Sequence, residues 1–577
     1  MSNWSKSYPT LDRSRKTIIS LLKQSGIVFL IFLFPLMGSL LGLGGWTIVA
    51  SFILSGVYII WTENETQNNT IQQQENSITQ QEGFGEDPGI LFGGIRHATK
   101  AFTKNTLIVG TVGSGKSVTS KLIAKDALAG IGGSVNKRAL IYDPSREWPS
   151  VLEAMGLPEQ AIIYTNPFDQ RCRPWWISKD IKTPLQAEAL AKALVPISSG
   201  MSDPFWIQAT QTVIATVIRY FNAVAPEQWS LRDLLIAVRS QEIVSKMCAD
   251  DPRLRHYSQV LGNSKTAMGI MASVVSCTQK YEHVAALWHK SETVYNNQPF
   301  SLKEWLNSSS ILVLGRSETA NNGLREINRV MLMQVKKLML EQPEKAYPTT
   351  WMFLDEIDSL DGIEALLTAM TELRKRGVAI VGGLKTITHM VDNFNKSIVD
   401  TMMSQFGHIA ALRQTDRETE EWLRNIAGKT EVRERYYRKG KNKRKTQAFR
   451  EERKLSQGSL NGIPAFEPTL GSGMKGFYIS PDKKWWHTYE PSIVQKLPLQ
   501  GDPSRNFLKM PKEYQELAPW TTDDWQRLNI LNLQGNELNA PSADGTTAHL
   551  PDEILNALKQ ETIDSLSSIT NVEEDVY

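Results

Sequence analysis

Cysteine is nearly absent from this chain. Its three cysteines in 577 residues, Cys172, Cys248 and Cys277, lie far apart and form no C-x-x-C pair. That pattern excludes a disulfide framework and a zinc site, and it suits a reducing compartment. A charge bias is missing too: 64 Lys and Arg stand against 61 Asp and Glu, a net +3, so total charge identifies no partner. Residues 24–62 lack charged side chains altogether. Within them, 26–43 and 46–61 are apolar runs separated by Gly44-Gly45. Each is near the lower limit of the ~17–25 residues that a membrane-crossing helix needs. A buried helical hairpin would show polar residues at helical spacing, and few are seen. A signal peptide would have one shorter apolar core and a small-residue cleavage site. The stretch therefore reads as a two-span membrane hairpin. Lys6, Arg13, Arg15, Lys16 and Lys23 precede it. The positive-inside rule keeps that end in the cytoplasm, and an even number of spans returns the rest of the chain there. Residues 63–88 have almost nothing to bury and read as a polar linker rich in Gln, Asn, Thr and Glu.

A chain of this length is expected to hold more than one core. The stretch that organises the remainder reads Gly110-Thr-Val-Gly-Ser-Gly-Lys-Ser117, with the spacing of a phosphate-binding loop. Thr106-Leu-Ile-Val before it is a short apolar run, as in a buried parallel strand. Residues 118–128 after it have helical spacing. Gly113 and Gly115 allow the backbone to curl its N–H groups, with those of Gly110, Thr111 and Ser114, around phosphate oxygens. The helix N-terminus adds partial positive charge. Lys116 is the residue to reach the β- and γ-phosphates, and Ser117 the one to hold Mg²⁺. ATP and Mg²⁺ are the expected ligands.

Leu140-Ile-Tyr-Asp143 and Ala161-Ile-Ile-Tyr164 read as the next buried strands, so a parallel α/β sheet is expected. Asp143 and Asn166 fall near strand ends, where ligands of such sheets sit, or serve as caps and turns. Residues 180–300 then read as helices over 184–194, 204–221, 231–238, 241–249 and 264–283, an all-helical insertion. The sheet resumes at Ile311-Leu-Val-Leu314. Trp351-Met-Phe-Leu-Asp355-Glu356 follows, an apolar strand ending in two acids. Asp355 is expected to hold magnesium through water, and Glu356 to polarise the attacking water. The strand Val378-Ala-Ile-Val381 leads to Gly-Gly-Leu384-Lys385-Thr386, where Lys385 occupies the place of a polar γ-phosphate sensor. Ile409-Ala-Ala-Leu412 is the strand after that. Arg374, Arg376, Arg413, Arg417 and Arg424 surround these segments. Arg413 or Arg417 is the candidate for an arginine that completes a neighbouring subunit's site in a ring.

Residues 433–454 carry eleven Lys or Arg against three Glu, with Tyr436, Tyr437 and Phe449 interleaved. Such a run is a solvated hairpin, a contact for a nucleic-acid backbone or a contact for anionic lipid. Residues 551–577 hold seven acids and one base, a solubilising tail or a docking peptide. The boundaries expected are a membrane hairpin at 1–62, a linker at 63–88, a nucleotide-binding domain at 89–179 and 301–495, the helical insertion at 180–300, and a Pro-containing acidic tail at 496–577.

This order, with Ile141-Tyr-Asp-Pro144, Asn166-Pro-Phe-Asp-Gln-Arg-Cys172 and Asp203-Pro-Phe-Trp206, resembles the coupling proteins of conjugative type IV secretion. These form the TraD-like branch of the FtsK–HerA motors, and the resemblance covers about residues 20–490. It implies a RecA-like P-loop ATPase core with an inserted all-helical domain, anchored in the bacterial inner membrane with the ATPase in the cytoplasm. It further implies a homo-hexamer that brings relaxase-bound DNA, single-stranded during transfer, to the channel proteins of the secretion system. The family usually has Gln after Gly-Leu, whereas this chain has Lys385, which reaches phosphate but cannot orient water as an amide does. The alternatives are a recruitment receptor with little turnover, or another FtsK/HerA-type DNA translocase.

Overall fold

Short apolar runs bounded by turn residues become strands in the computed structural model, which describes residues 87–133, 136–197, 204–258, 265–316, 321–360, 370–394, 396–437, 445–453, 455–456, 458–466, 473–492, 502–511 and 516–533. The expected membrane hairpin and the acidic end beyond 533 lie outside the described residues. Among the described residues, no helix is long and apolar enough to cross a membrane.

The strands are β1 (Ile90–Phe92), β2 (Ile95–His97), β3 (Thr106–Val109), β4 (Arg138–Asp143), β5 (Ile162–Tyr164), β6 (Ile311–Gly315), β7 (Thr350–Leu354), β8 (Val378–Leu384), β9 (His408–Ala411), β10 (Lys429–Tyr437), β11 (Lys445–Arg453), β12 (Met474–Ile479) and β13 (Lys484–Tyr489). Nine of them form one sheet in the order β13-β12-β9-β3-β8-β7-β4-β6-β5. The pairs β3 with β8, β3 with β9, β7 with β8 and β4 with β7 are parallel. β12 joins β9 and β13 antiparallel, so the sheet is mixed, α/β in class, where a parallel one was expected. Every residue of β3, β4, β7 and β8 is buried. This explains their unbroken apolar runs, since a strand covered on both faces has no polar side to alternate.

Register is fixed at one end by Asn105. It is 3% exposed, has a left-handed φ of 55°, and sits where the chain enters β3. Its Oδ1 accepts from Ile380 N (3.0 Å), and its carbonyl accepts from His408 N (3.1 Å). One residue thus ties the starts of β3, β8 and β9 together. Its short amide side chain both tolerates this backbone geometry and bonds locally.

The chain divides into two compact units. One takes the described residues within Met1–Ile162, Ser308–Leu314 and Met339–Asn506, and contains the phosphate loop; the other takes those within Ile163–Asn307, Gly315–Leu338 and Phe507–Tyr577. The second is built on helices Pro184–Leu194, Phe205–Val224, Leu231–Val238, Gln241–Asp250, Lys265–Gln279 and Glu282–Thr293. The single helix expected over 264–283 is two helices. The break coincides with Tyr281, 1% exposed, whose hydroxyl donates to Leu194 O (2.5 Å).

The stretch from 507 to 533, placed by sequence in a polar tail, packs on this helical unit. Met510 lies with Phe168 and Leu287. Arg232, 2% exposed, donates through Nε to Ala518 O (2.9 Å) and through Nη2 to Asp524 Oδ2 (3.0 Å). Asp233, fully buried, caps its own helix and accepts from Trp520 Nε1 (2.9 Å) and Arg527 Nη2 (2.9 Å). Burial alone would raise the Asp524 carboxyl. The hydrogen bonds from Arg232 and Arg527 outweigh it and hold the group below the usual carboxylate range. Stability from a depressed carboxyl is present above its unfolded pKa of 3.8 and is lost as pH falls below that value. Arg232→Met leaves two buried carboxylates, Asp233 and Asp524, to share Arg527 as their one remaining guanidinium. It is expected to cost ~3–5 kcal/mol, read as protease cleavage within 516–533 that wild type resists at neutral pH.

Candidate functional site

The ends of four parallel strands converge because their register aligns them. Val109 of β3 pairs with Leu384 of β8 and Ala411 of β9, and Leu354 of β7 pairs with Gly382 of β8. The residues just past each strand are therefore neighbours: the phosphate loop, Asp355-Glu356, Lys385 and Arg413-Gln414. Loop and strands are stitched by Gly110 N to Leu384 O (3.1 Å), Thr111 N to Arg413 O (2.9 Å) and Leu412 N to Val109 O (2.8 Å).

The loop passes into helix Lys116–Ala127 through Gly115, which is left-handed at φ 94°. A Cβ there would meet Met474 Sδ at 2.4 Å, whereas at Gly113 (φ 70°) nothing lies within 4 Å. Val112 at the tip is 80% exposed. Ser114 Oγ is buried with no hydrogen-bond partner. Lys116 Nζ donates to the loop carbonyls of Gly110 (2.7 Å) and Thr111 (3.1 Å). Burial pushes this ammonium below its ordinary pKa; Asp355 opposes the shift and Lys385 adds to it. A glycine-lined turn, a lysine held over it and an unpartnered hydroxyl are the donor set that polyphosphate requires.

Ser117 Oγ donates to Asp355 Oδ2 at 3.3 Å. A hydroxyl and a carboxylate side by side offer two hard oxygen ligands of the kind Mg²⁺ takes alongside phosphate and water. Asp355 is 9% exposed, and burial raises its pKa against the pull of Lys121 and Lys116. Glu356 Oε1 forms an ion pair with Lys385 Nζ at 2.8 Å. Both residues expected from sequence to act on the γ-phosphate therefore touch each other.

The arginines separate. Arg413 is half-buried beside the loop, with a buried Nε that has no hydrogen-bond partner. Arg417 is exposed at the start of helix Arg417–Ala427. Arg374 and Arg376 precede β8, at the opposite end of the sheet from the phosphate loop. Asp143 and Asn166 resolve as structural residues. Asp143 accepts from Glu147 N (3.1 Å) and Trp148 N (3.0 Å), capping the helix that follows. Asn166 Oδ1 accepts from Phe168 N (3.1 Å) in a turn.

Sequence reading missed Lys121, 7% exposed, which binds Glu147 Oε2 at 2.6 Å on the helix that carries Lys116. It also missed Gln414, fully buried. Gln414 Nε2 donates to Lys385 O (2.9 Å), and its Oε1 accepts from Thr415 N (2.9 Å) and Asp416 N (3.1 Å). A trace of this corner was present in Asp416-x-x-Thr419, the spacing of a helix cap, and Thr419 N does donate to Asp416 Oδ2 (2.9 Å). Nothing in the pattern marked Gln414.

A family model described as the type IV secretion-system coupling protein DNA-binding domain matches residues 90–458. The coupling protein TraD of Escherichia coli (strain K12) is 21% identical over 354 residues, 60% of this chain and 47% of TraD. The chain thus matches about half the length of that relative. Two solved structures share the fold at 18% identity. The unbound bacterial conjugative coupling protein TrwBdeltaN70 has a TM-score of 0.57, over 74% of this chain and 92% of that one. Plasmid coupling protein TrwB with a non-hydrolysable ATP analogue has a TM-score of 0.55, over 74% and 93%.

Two outcomes test this geometry. Gly115→Ala is expected to lower the melting temperature, because the left-handed turn costs a non-glycine residue ~1–2 kcal/mol and the methyl strikes Met474. In a Met474→Ala background, which carries its own cavity cost because Met474 is buried, Gly115→Ala should cost less than in wild type by the part due to the clash. Burial, aided by the charges of Asp355 and Glu147, raises the Asp143 carboxyl to about 6 from 3.8. The folded chain then keeps a proton that the unfolded chain has lost, so this group's contribution falls as pH rises through that window. Between about pH 4 and pH 7, wild type should lose roughly 3 kcal/mol relative to Asp143→Asn, measured by unfolding at a series of pH values.

Proposed function

The chain belongs to the family of type IV secretion-system coupling proteins, and on that premise we propose that it is a membrane-anchored, hexameric ATPase that couples relaxosome DNA to a type IV secretion channel and drives its transfer. The observation that carries the ATPase reading is the meeting of Ser117 and Asp355 at 3.3 Å beside Glu356, below a glycine-lined loop. The solved relatives support the ligand: structures of TrwB were obtained with an ATP analogue, with a GTP analogue and with ADP and Mg²⁺. The charge-free stretch 24–62 and the basic residues before it support a two-pass anchor in the bacterial inner membrane, with the ATPase on the cytoplasmic side.

In this reading the loop N–H groups and Lys116 bind and orient the triphosphate. Ser117 and Asp355 hold the cation, and Glu356 takes a proton from the attacking water. Magnesium, when bound, offsets the charge that builds on the phosphate oxygens. Lys385 has two partners to choose between, the carboxylate it pairs with and a phosphate oxygen. Moving to phosphate frees Glu356 to act as base. Arg413 and Arg417 are the candidates to reach a neighbouring subunit's phosphate, and the exposed Val112 at the loop tip leaves that approach open.

A second reading, a nucleotide-binding receptor with little turnover, draws on the same ion pair at 2.8 Å, because a lysine fixed on Glu356 keeps it from water. The deciding measurement is ATP turnover by the purified full-length chain, with and without single-stranded DNA. Turnover stimulated by DNA is expected, and both Lys116→Ala and Glu356→Gln should lower it by at least ~100-fold. Lys385→Met, which removes the charge and offers no amide, should lower it by roughly 100-fold, a loss on the scale of one charged contact to the transition state. A rise on Lys385→Met would instead identify the lysine as a brake and favour the receptor.

A further inference from the structure

β8 and β9 both pair with β3, one on each side, so they are not neighbours in the sheet. Two strand spacings, ~9.6 Å, separate them. All three end together, and the chain that leaves β3 is the phosphate loop. Its first two amides are taken up on opposite sides, Gly110 N by Leu384 O (3.1 Å) and Thr111 N by Arg413 O (2.9 Å). The next residue on each side is Lys385 or Gln414, and these two are joined across the span of β3. Gln414 Nε2 donates to Lys385 O at 2.9 Å.

Gln414 is itself held on every side. It is fully buried, its Oε1 accepts from Thr415 N (2.9 Å) and Asp416 N (3.1 Å), and its main-chain N–H donates to Leu460 O (3.3 Å). A carboxamide supplies two acceptor lone pairs and N–H donors on one uncharged group. An ionised glutamate lacks the donor, and an apolar side chain lacks both. The end of β8 is also fixed from the side of β7, where a Cβ at Gly383 would meet Asp355 O at 2.2 Å. Lys385 therefore has a pinned main chain and a free-swinging end. Its side chain is 38% exposed, and its ammonium pairs with Glu356 Oε1 at 2.8 Å.

We propose that Gln414 is a positioning residue for Lys385. By holding the lysine main chain, it sets the ammonium where it pairs with either Glu356 or the terminal phosphate of a bound nucleotide. This rests on the nucleotide-binding function proposed above, and it names the residue through which the site tells a triphosphate from a diphosphate. A lysine is a point charge on a flexible four-carbon stem. With the main chain loose as well, that charge would be spread over many positions and its contact with phosphate weakened. With the main chain fixed, the arrival or loss of one phosphate moves a single side chain between two partners. The same corner holds a bond that does not involve Lys385, Thr388 Oγ1 to Asp416 Oδ2 (3.1 Å), which separates this role from general support of the turn.

The test uses the full-length chain with Mg²⁺ and a fluorescent ADP, displaced by ADP or by a non-hydrolysable ATP analogue. Wild type should bind the analogue about tenfold or more tighter than ADP, the worth of one charged hydrogen bond. Lys385→Met should remove that preference. Gln414→Met, similar in length but without the amide, should weaken the analogue by about fivefold or more and leave ADP within about twofold. In a Lys385→Met background the same substitution should alter neither ligand, because the side chain through which Gln414 acts is gone. Thr388→Val should also alter neither. Gln414→Glu keeps the acceptor for Thr415 and Asp416, and it takes the place of Gln414→Met if that variant does not fold. Equal weakening of analogue and ADP overturns the proposal, as does a loss on Thr388→Val equal to that on Gln414→Met. So does a loss that multiplies with that of Lys385→Met, or a wild type that binds both ligands alike. Absence of DNA-stimulated turnover in the wild type would defeat the motor reading alone, because these affinities decide the role of Gln414 without turnover.

Discussion

Everything at the candidate site depends on one geometric constraint: parallel strands in register end together. β3, β7, β8 and β9 come from places far apart in the chain, yet their last residues are hydrogen-bonded neighbours. The phosphate loop, the acidic pair and Lys385 need no long excursions to meet, since each is the first turn after its strand. Asn105 secures the alignment from the far end by binding the starts of β8 and β9 at once. A slip of β8 by one residue would exchange its buried faces and carry Lys385 away from Glu356.

Within that frame the electrostatics are nearly balanced, and close balance makes the site responsive. Lys116, Lys121 and Lys385 neighbour Asp143, Glu147, Asp355 and Glu356, with Lys121, Asp143 and Asp355 buried and Glu147 and Lys385 reaching solvent. Burial disfavours charge on both Lys116 and Asp355, and each opposes that shift in the other, whereas Asp143 has only acids beside it and is pushed up. A polyphosphate with its cation enters such a site by exchanging partners, so the cost of stripping water from the protein groups has already been met by folding.

How far this was legible from sequence varies by residue. The phosphate loop, the apolar run ending at Asp355 and the sensor position at Lys385 could be read because each combines a fully buried strand with the turn after it. The arginines could not be sorted, because spacing does not say which end of a strand a residue occupies. Arg374 and Arg376 enter β8, whereas Arg413 leaves β9. Gln414 and Lys121 were invisible because their partners, the Lys385 carbonyl and Glu147, are tertiary. The mixed edge of the sheet depends on β12 pairing backwards with β9, which no local pattern declares. The folded stretch 516–533 was hidden by its composition: its proline, tryptophans and acids read as polar tail until Arg232 and Asp233 appear as their buried counterparts.

The interleaving of the two units bears on synthesis of the chain. β3 is made early, yet both of its neighbours in the sheet come much later; the bond from Ile380 to Asn105 already spans 275 residues. The helical unit likewise waits for residues near 524–527 before its buried Arg232 and Asp233, which pair with each other at 3.7 Å, gain Asp524 and Arg527 as further partners. Neither unit is complete until most of the polypeptide has left the ribosome. During that interval the apolar strands emerge without partners, a condition that slows folding and exposes the nascent chain to aggregation. β3 and β4 thus stay without the strands they pair with while the helical unit is being translated.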